Sequence, residues 1–390
     1  MGGKAALIVI DSVGIGELPD SPAYGDEGSD TLGHIYSLTP DFRLANLESL
    51  GLCHIQGTSL PQNRKPPIGA YGKMKECSEG KDSTTGHWEI AGLIVNEAFA
   101  TFPVGFPDEL IREFTDKTGF GVLCNRPYSG TEVIKAYGAE HMQTRKLIVY
   151  TSADSVFQIA AHEKIVPLKE LYRVCEITRR MLDKYRVARV IARPFLGGSP
   201  KDFTRTPNRR DFSMLPSKPT LLDVLSQSGM PVVAIGKISD LFAGKGITNA
   251  VHTETNAQGI QETLKAIKEL DNGLIFTNLV DFDQLYGHRN NVAGYAAALK
   301  EFDESLPRYI EAMGESDLLV ITADHGNDPS TPSTDHSREY VPILAYQKGM
   351  RPVDLGIRSS FSDVAATLAD FFSMPPVWKG TSFFPDISYT

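Results

Sequence analysis

LLVITADHGND, residues 318–328, is a short apolar run that stops abruptly at an aspartate and a histidine. A run of five apolar or β-branched residues, too short for a helix and without polar alternation, reads as a strand buried on both faces. In open α/β sheets the functional groups gather beyond the carboxyl ends of the strands, which puts Asp324 and His325 where a site belongs. The pattern recurs. Residues 6–10 form a second buried run that closes on Asp11 and passes into Ser-Val-Gly-Ile-Gly. Residues 274–280 run into Asp281, Asp283 and His288 in DFDQLYGH. Soon after the opening segment comes His336, in STDHSREY.

Further apolar runs at 232–235 and 343–346 alternate with helical patterns. Ile260, Leu264, Ile267 and Leu270 recur at helical spacing, as do Tyr295, Leu299, Phe302, Leu306 and Ile310. Pro307 lies inside the second pattern and is expected to kink it. A last helix is expected over residues 362–372. Strands alternating with helices imply an α/β core sheet flanked by helices. The middle of the chain has an alternation of its own: a strand at 147–150, a helix at 168–182 and a strand at 187–192. Between Arg186 and Arg210 seven basic residues face a single acidic one, Asp202. This stretch reads as a smaller α/β domain inserted as a cap at 102–216, with the core built from 1–101 and 217–390.

With 390 residues, 41% of them hydrophobic and 22% charged, the chain is ordinary for a globular protein of two or three domains. A formal net charge of -9 argues against a general nucleic-acid binder, which needs clustered Lys and Arg. The four cysteines follow no CxxC spacing and read as small buried hydrophobes in a reducing compartment. The sequence shows neither an apolar run of membrane-spanning length nor a signal-peptide pattern, so a cytoplasmic location is expected.

A lone aspartate after a strand is usually a turn residue or a helix cap. Gly14 and Gly16 by themselves make only a tight turn. The combination says more. Three of the nine histidines each stand close to an aspartate, and carboxylates mixed with imidazoles suit Mn²⁺ or Zn²⁺. Two such ions about 4 Å apart would clamp a phosphoryl group. A nucleophile is then needed, and KDSTTGHWE (residues 81–89) offers Ser83, Thr84 and Thr85. A hydroxyl at a helix N-terminus gains from backbone N–H groups that stabilise its phosphorylated form.

The segments VIDSVGIGELPDS, GKDSTTGHWEIAG, YTSADSVFQIAAHE, RVIARPF, RTPNRRDF, GKISD, NLVDFDQLYGHR and ITADHGNDP followed by TDHSREYVP resemble the bacterial phosphopentomutases, in order and nearly end to end. That family belongs to the alkaline phosphatase superfamily, beside the cofactor-independent phosphoglycerate mutases. The resemblance implies an alkaline-phosphatase-like core and two manganese ions. Asp11, Asp324 and His325 would hold one ion, and Asp283, His288 and His336 the other. It also implies phosphorylation of the hydroxyl directly after Lys-Asp, here Ser83, where the family usually has threonine. Substrate-binding positions implied in the cap are Ser152, Asp154, Arg193 and Arg205 or Arg209, with Lys237 from the core. The arginines are of the kind that grips a phosphate. The implied reaction interconverts ribose or deoxyribose 1-phosphate and 5-phosphate, primed by a sugar bisphosphate such as glucose 1,6-bisphosphate. Other readings of the same core are a phosphomonoesterase, a phosphoglycerate mutase or a metal-stabilised binding module.

Overall fold

The computed structural model describes residues 3–152, 155–375 and 379–388, so Asp154 lies outside the described residues. The chain divides into two compact units: residues 3–97 with the described part of 216–390, and an inserted unit at 98–215. Strands β1 (Lys4–Ile10) and β2 (Ala70–Met74) precede the insertion. Within it lie β3 (Val122–Pro127), β4 (Leu147–Thr151), β5 (Val156–His162), β6 (Arg189–Leu196), β7 (Thr204–Arg205) and β8 (Arg210–Ser213). After it come β9 (Val232–Ile235), β10 (Asn249–Val251), β11 (Gly273–Leu279), β12 (Leu318–Thr322), β13 (Val341–Tyr346) and β14 (Val353–Arg358).

The larger unit is an α/β core whose eight-stranded sheet runs β10-β9-β11-β1-β12-β13-β2-β14, flanked by helices. Its central strands β11, β1 and β12 are parallel and almost wholly buried, which is why they appear in the sequence as unbroken apolar runs. Their register sets Ile10 opposite Leu279 and Val9 opposite Thr322, so all three strands end at one level.

β13 runs antiparallel to β12, a reversal that apolar content alone does not reveal. Its cause lies in residues 323–340. That stretch contains no crossover helix and folds back on itself through a bridge in which Gly326 and Ser337 exchange both backbone hydrogen bonds (3.0 and 2.8 Å). The same bridge sets His325 and His336 side by side, with ring centroids 4.0 Å apart.

The helix Val292–Ala312 continues through Pro307. Proline lacks an N–H, which frees the carbonyl of Asp303 four residues earlier. Asn46 Nδ2 takes that carbonyl at 2.8 Å, while the Asp303 carboxylate accepts the backbone N–H groups of Asn46 and Leu47. The helix Ala45–Leu50 is thereby capped by a side chain from the proline helix.

The inserted unit has its own sheet, β3-β4-β5-β6-β7, with β8 also paired to β6. Along β4, Leu147 and Val149 face one apolar cluster while Ile148 and Tyr150 face another. This alternation marks a sheet buried on both sides. The first cluster is closed by the helices Asp108–Thr118 and Leu168–Leu182, the second by Glu132–Thr144. Among the described residues no helix is long and apolar enough to cross a membrane.

Candidate metal centre and nucleophile

Because β11, β1 and β12 end together, the residues just beyond them converge. Asp11, Asp324 and His325 each offer a donor atom within 4.8 Å of the others, and so do Asp283, His325 and His336. His325 thus belongs to both groups. Asp283 sits in a π-turn, Phe282–Tyr286, and His288 in the tight turn that follows, Gly287–Arg289. Such irregular turns re-aim side chains that a regular helix would point elsewhere. His288 is outside both triplets, but its Nε2 lies 3.0 Å from Asp283 Oδ2 and its ring 4.8 Å from that of His336. Its Nδ1 faces the Thr334 carbonyl at 2.6 Å, which fixes the ring's orientation.

The three carboxylates are buried together, and their electrostatics diverge. Burial, with the charges of Asp324 and Asp283, pushes the Asp11 carboxyl well above its ordinary range, against the opposing charge of Lys237. Burial acts the same way on Asp283, but His336 and His288 outweigh it and hold that carboxyl well below. Burial also opposes ionisation of Asp324, and His325 and His87 overcome it. The His325 imidazole is itself pushed down by burial to about 4, which leaves its ring neutral near pH 7. Asp11 Oδ1 and Asp324 Oδ2 make no hydrogen bond among the described residues. Buried carboxylate oxygens without donors, set around a neutral imidazole, are the donor set a divalent cation satisfies. The residues present therefore fit such an ion.

The helix Ser83–Ile90 brings the hydroxyls of the KDSTTG segment to this cluster. Asp82 caps it, accepting from Thr84 N and Thr85 N at 3.0 and 3.1 Å and from Thr85 Oγ1 at 2.6 Å. The Thr85 hydroxyl is therefore committed to the cap. Ser83 Oγ instead lies 3.1 Å from His325 Nε2. At the far end of the helix Glu89 accepts from Cys77 N, Ser78 N, Ser360 Oγ and Phe361 N. Arg338 binds the loop in front of it through the Ser78 and Gly80 carbonyls and pairs with Glu76 at 2.7 Å. Lys81 pairs with Asp26 at 2.9 Å.

Sequence reasoning did not find Arg338, Glu89, His87, Asn278 or Asn327. Asn278 Nδ2 donates to Asp11 Oδ2 at 2.9 Å, and Asn327 Nδ2 to Asp283 Oδ1 at 2.7 Å. One signal for Asn278 was present: it is an amide inside an otherwise apolar strand.

Lys237 follows β9 after a single glycine, Gly236, at the start of the short helix Ile238–Leu241. Within the inserted unit, Ser152 follows β4, and Arg193, Arg205 and Arg209 lie on or beside β6, β7 and β8. Burial, then the charge of Arg209, pushes the Arg193 guanidinium down to about 10. Its Nε donates to Gln158 Oε1 at 3.1 Å. Arg209 pairs with Asp211 at 2.8 Å.

A model of the metalloenzyme superfamily matches residues 3–376. A curated phosphopentomutase of Caldanaerobacter subterraneus subsp. tengcongensis is 56% identical to the chain, covering 98% of each. One from Thermotoga maritima is 54% identical over 97% of this chain and 98% of its own. One from Clostridioides difficile is 50% identical over 98% and 99%. Among solved structures, a Leishmania mexicana phosphoglycerate mutase superposes with a TM-score of 0.51 at 12% identity, over 98% of this chain and 97% of its own. A Pyrococcus horikoshii protein does so at 0.53 and 15%, over 97% and 100%. At those identities the two structures speak for the shared fold alone.

Proposed function

We infer the chemistry from one premise: the chain belongs to the phosphopentomutase family, within the metalloenzyme superfamily. Its substrates are accordingly small sugar phosphates. We propose that it interconverts (deoxy)ribose 1-phosphate and (deoxy)ribose 5-phosphate through a phosphorylated Ser83 and a transient 1,5-bisphosphate. The observation that carries this reading is the 3.1 Å approach of Ser83 Oγ to His325 Nε2, the imidazole common to both donor groups.

In the proposed cycle, phospho-Ser83 meets a sugar monophosphate. The free sugar hydroxyl attacks phosphorus, the bond from phosphorus to Ser83 Oγ breaks, and the hydroxyl proton ends on Ser83 Oγ. The bisphosphate then reorients. Ser83 Oγ attacks the other phosphorus, the sugar oxygen leaves, and it takes the proton back. Atoms and charge balance over the cycle, and the enzyme ends phosphorylated as it began. A sugar bisphosphate such as glucose 1,6-bisphosphate would supply the first phosphoryl group.

Asp11, Asp324 and His325 would hold one Mn²⁺, and Asp283, His288 and His336 the other. When bound, such ions polarise phosphoryl oxygens and stabilise the serine oxygen as a leaving group. The N-terminal end of the helix Ser83–Ile90 adds backbone N–H groups that favour a phosphorylated residue there. To the inserted unit, as a cap, we assign the phosphate that is not reacting, held by Arg193 with Arg205 or Arg209. Ser152 and Asp154 are assigned to the sugar, and Lys237 to the substrate from the core.

The test follows phosphate directly. Protein with Mn²⁺ and ³²P-labelled glucose 1,6-bisphosphate should take label onto Ser83 and form ribose 5-phosphate from ribose 1-phosphate. Ser83→Ala should take up none and lose turnover by roughly a thousandfold or more. Near-normal turnover of that variant would remove Ser83 from the role. Release of phosphate by the wild type without any ribose 5-phosphate would make the enzyme a phosphatase.

A further inference from the structure

His87 stands one helical turn beyond Ser83, on the same helix, and has no part in the cycle above. Its ring is fully buried and stacks on Phe276, with centroids 5.9 Å apart. Nδ1 lies 2.8 Å from the Ser83 carbonyl oxygen and 3.1 Å from Asp324 Oδ2. Both neighbours can only accept, so the hydrogen sits on Nδ1; it is donated to the Ser83 carbonyl, with the Asp324 carboxylate beside it at ion-pair distance. The other ring nitrogen, Nε2, is buried and makes no hydrogen bond among the described residues.

That orphaned nitrogen is informative. A phenyl ring would stack on Phe276 equally well and bury no unsatisfied polar atom, so packing alone does not call for an imidazole here. What the imidazole adds is the Nδ1 hydrogen, aimed at two groups that matter to the site. The Asp324 carboxylate is held on its other side by Ser12 N, which donates to Oδ1 at 3.0 Å. It therefore lies between the turn after β1, which bonds it, and the nucleophile helix, whose His87 faces it. Gly86 shows how closely that helix approaches: a Cβ at this position would stand 2.2 Å from the Asp324 carbonyl oxygen.

We infer that His87 is a positioning residue: its Nδ1–H, held by the Ser83 carbonyl, faces the Asp324 carboxylate at 3.1 Å and so fixes the spacing between the metal-binding group and the nucleophile. This rests on the reading of Asp11, Asp324 and His325 as a metal site. Partners that orient ligating carboxylates typically change metal affinity by about 10- to 100-fold when removed.

Two variants separate positioning from packing, because they place an amide N–H at different ring positions. In His87→Asn the amide nitrogen replaces Nδ1, and in His87→Gln it falls near Nε2. Mn²⁺ titrated calorimetrically into chelator-stripped protein should bind His87→Asn within a fewfold of wild type. His87→Gln should bind at least one Mn²⁺ about 10- to 100-fold more weakly, and at saturating Mn²⁺ should label Ser83 more slowly. A space-filling role would lower the melting temperature of both variants and change Mn²⁺ affinity in neither; that result overturns the proposal. So does equal weakening in both. Asp324→Asn tests the premise separately: if it binds Mn²⁺ as tightly as the wild type, the metal reading itself fails.

Discussion

Arg338 shows what one buried residue does for a site it never touches. Its guanidinium lies over the Tyr24 ring, pairs with Glu76 and Asp20, and donates to the Ser78 and Gly80 carbonyls. Those carbonyls belong to the loop that delivers Lys81, Asp82 and Ser83. Glu76 is fully buried, and burial pushes its carboxyl well above the ordinary range against the pull of Arg338. Arg338→Met would leave that carboxyl without its cation. Removing one partner of a buried pair costs about 3–5 kcal/mol, and urea denaturation should show a loss of that order. Adding Glu76→Gln should recover much of it. Arg338→Lys should not substitute, because one ammonium cannot reach two carboxylates and two carbonyls in the planes a guanidinium serves. Nothing local in the sequence marks this residue, since Arg338 and Glu76 are 262 positions apart. Asp11, Asp324 and His325 were legible because each closely follows a buried strand, and Asp283, His288 and His336 because aspartate and histidine stand near one another in sequence. Arg338, His87 and Asn327 act through partners that only the fold brings near.

At the scale of elements, legibility followed unbroken apolar runs rather than burial alone: β5 is wholly buried, but Gln158 and His162 break its run and it was not read as a strand. β1, β9, β11 and β12 are covered on both faces and appear as apolar runs, and the helices after Thr255 and Asn291 show one apolar stripe each. β7, β8 and β14 do not, for a physical reason. They are short or lie near sheet edges, and their exposed positions carry charge, as in RDFS and VDLGIR. The reversed direction of β13 was illegible too, because strand composition does not encode direction. The helix through Pro307 was legible from its apolar stripe, but the group that takes the freed carbonyl, Asn46, was not, as it lies 257 residues from Asp303. That pairing predicts a coupling. Asn46→Ala should destabilise the protein by about 1–2 kcal/mol, the cost of a lost cap and an unpaired carbonyl. Pro307 is exposed, so Pro307→Ala removes no core packing. In that background the helix supplies its own N–H to the Asp303 carbonyl, and the cost of Asn46→Ala should shrink. A double-mutant cycle in urea measures the difference, and strict additivity would mean that Asn46 is not serving the carbonyl freed by proline.

The whole molecule is two units, and the contacts at their ends suggest that each can stand alone. In the inserted unit, Ala100 N donates to the Arg186 carbonyl and Met214 N to that of Ala188, so both ends are pinned to one short stretch. The larger unit has an equivalent tie, Leu221 N to the Ala91 carbonyl at 2.9 Å. Each unit closes its own hydrogen-bonded ends, and the inserted one has an apolar cluster on each face of its sheet. Residues 98–215 expressed alone should therefore melt in a single cooperative transition, followed by circular dichroism; a broad, non-cooperative loss of signal would show that the insertion borrows its stability. The complementary chain, with 98–215 replaced by a short Gly-Ser linker, retains Asp11, Ser83, Asp283, His288, Asp324, His325 and His336. It should still bind Mn²⁺ and accept phosphate on Ser83. Lacking Arg193, Arg205 and Arg209, it has no cationic group from the insertion to hold a bisphosphate while the sugar turns. Phosphate should then pass from Ser83 to water, and ribose 1-phosphate should yield free ribose and phosphate. Formation of ribose 5-phosphate by this shortened chain would place the whole mutase reaction in the core and leave the inserted arginines without the role assigned to them.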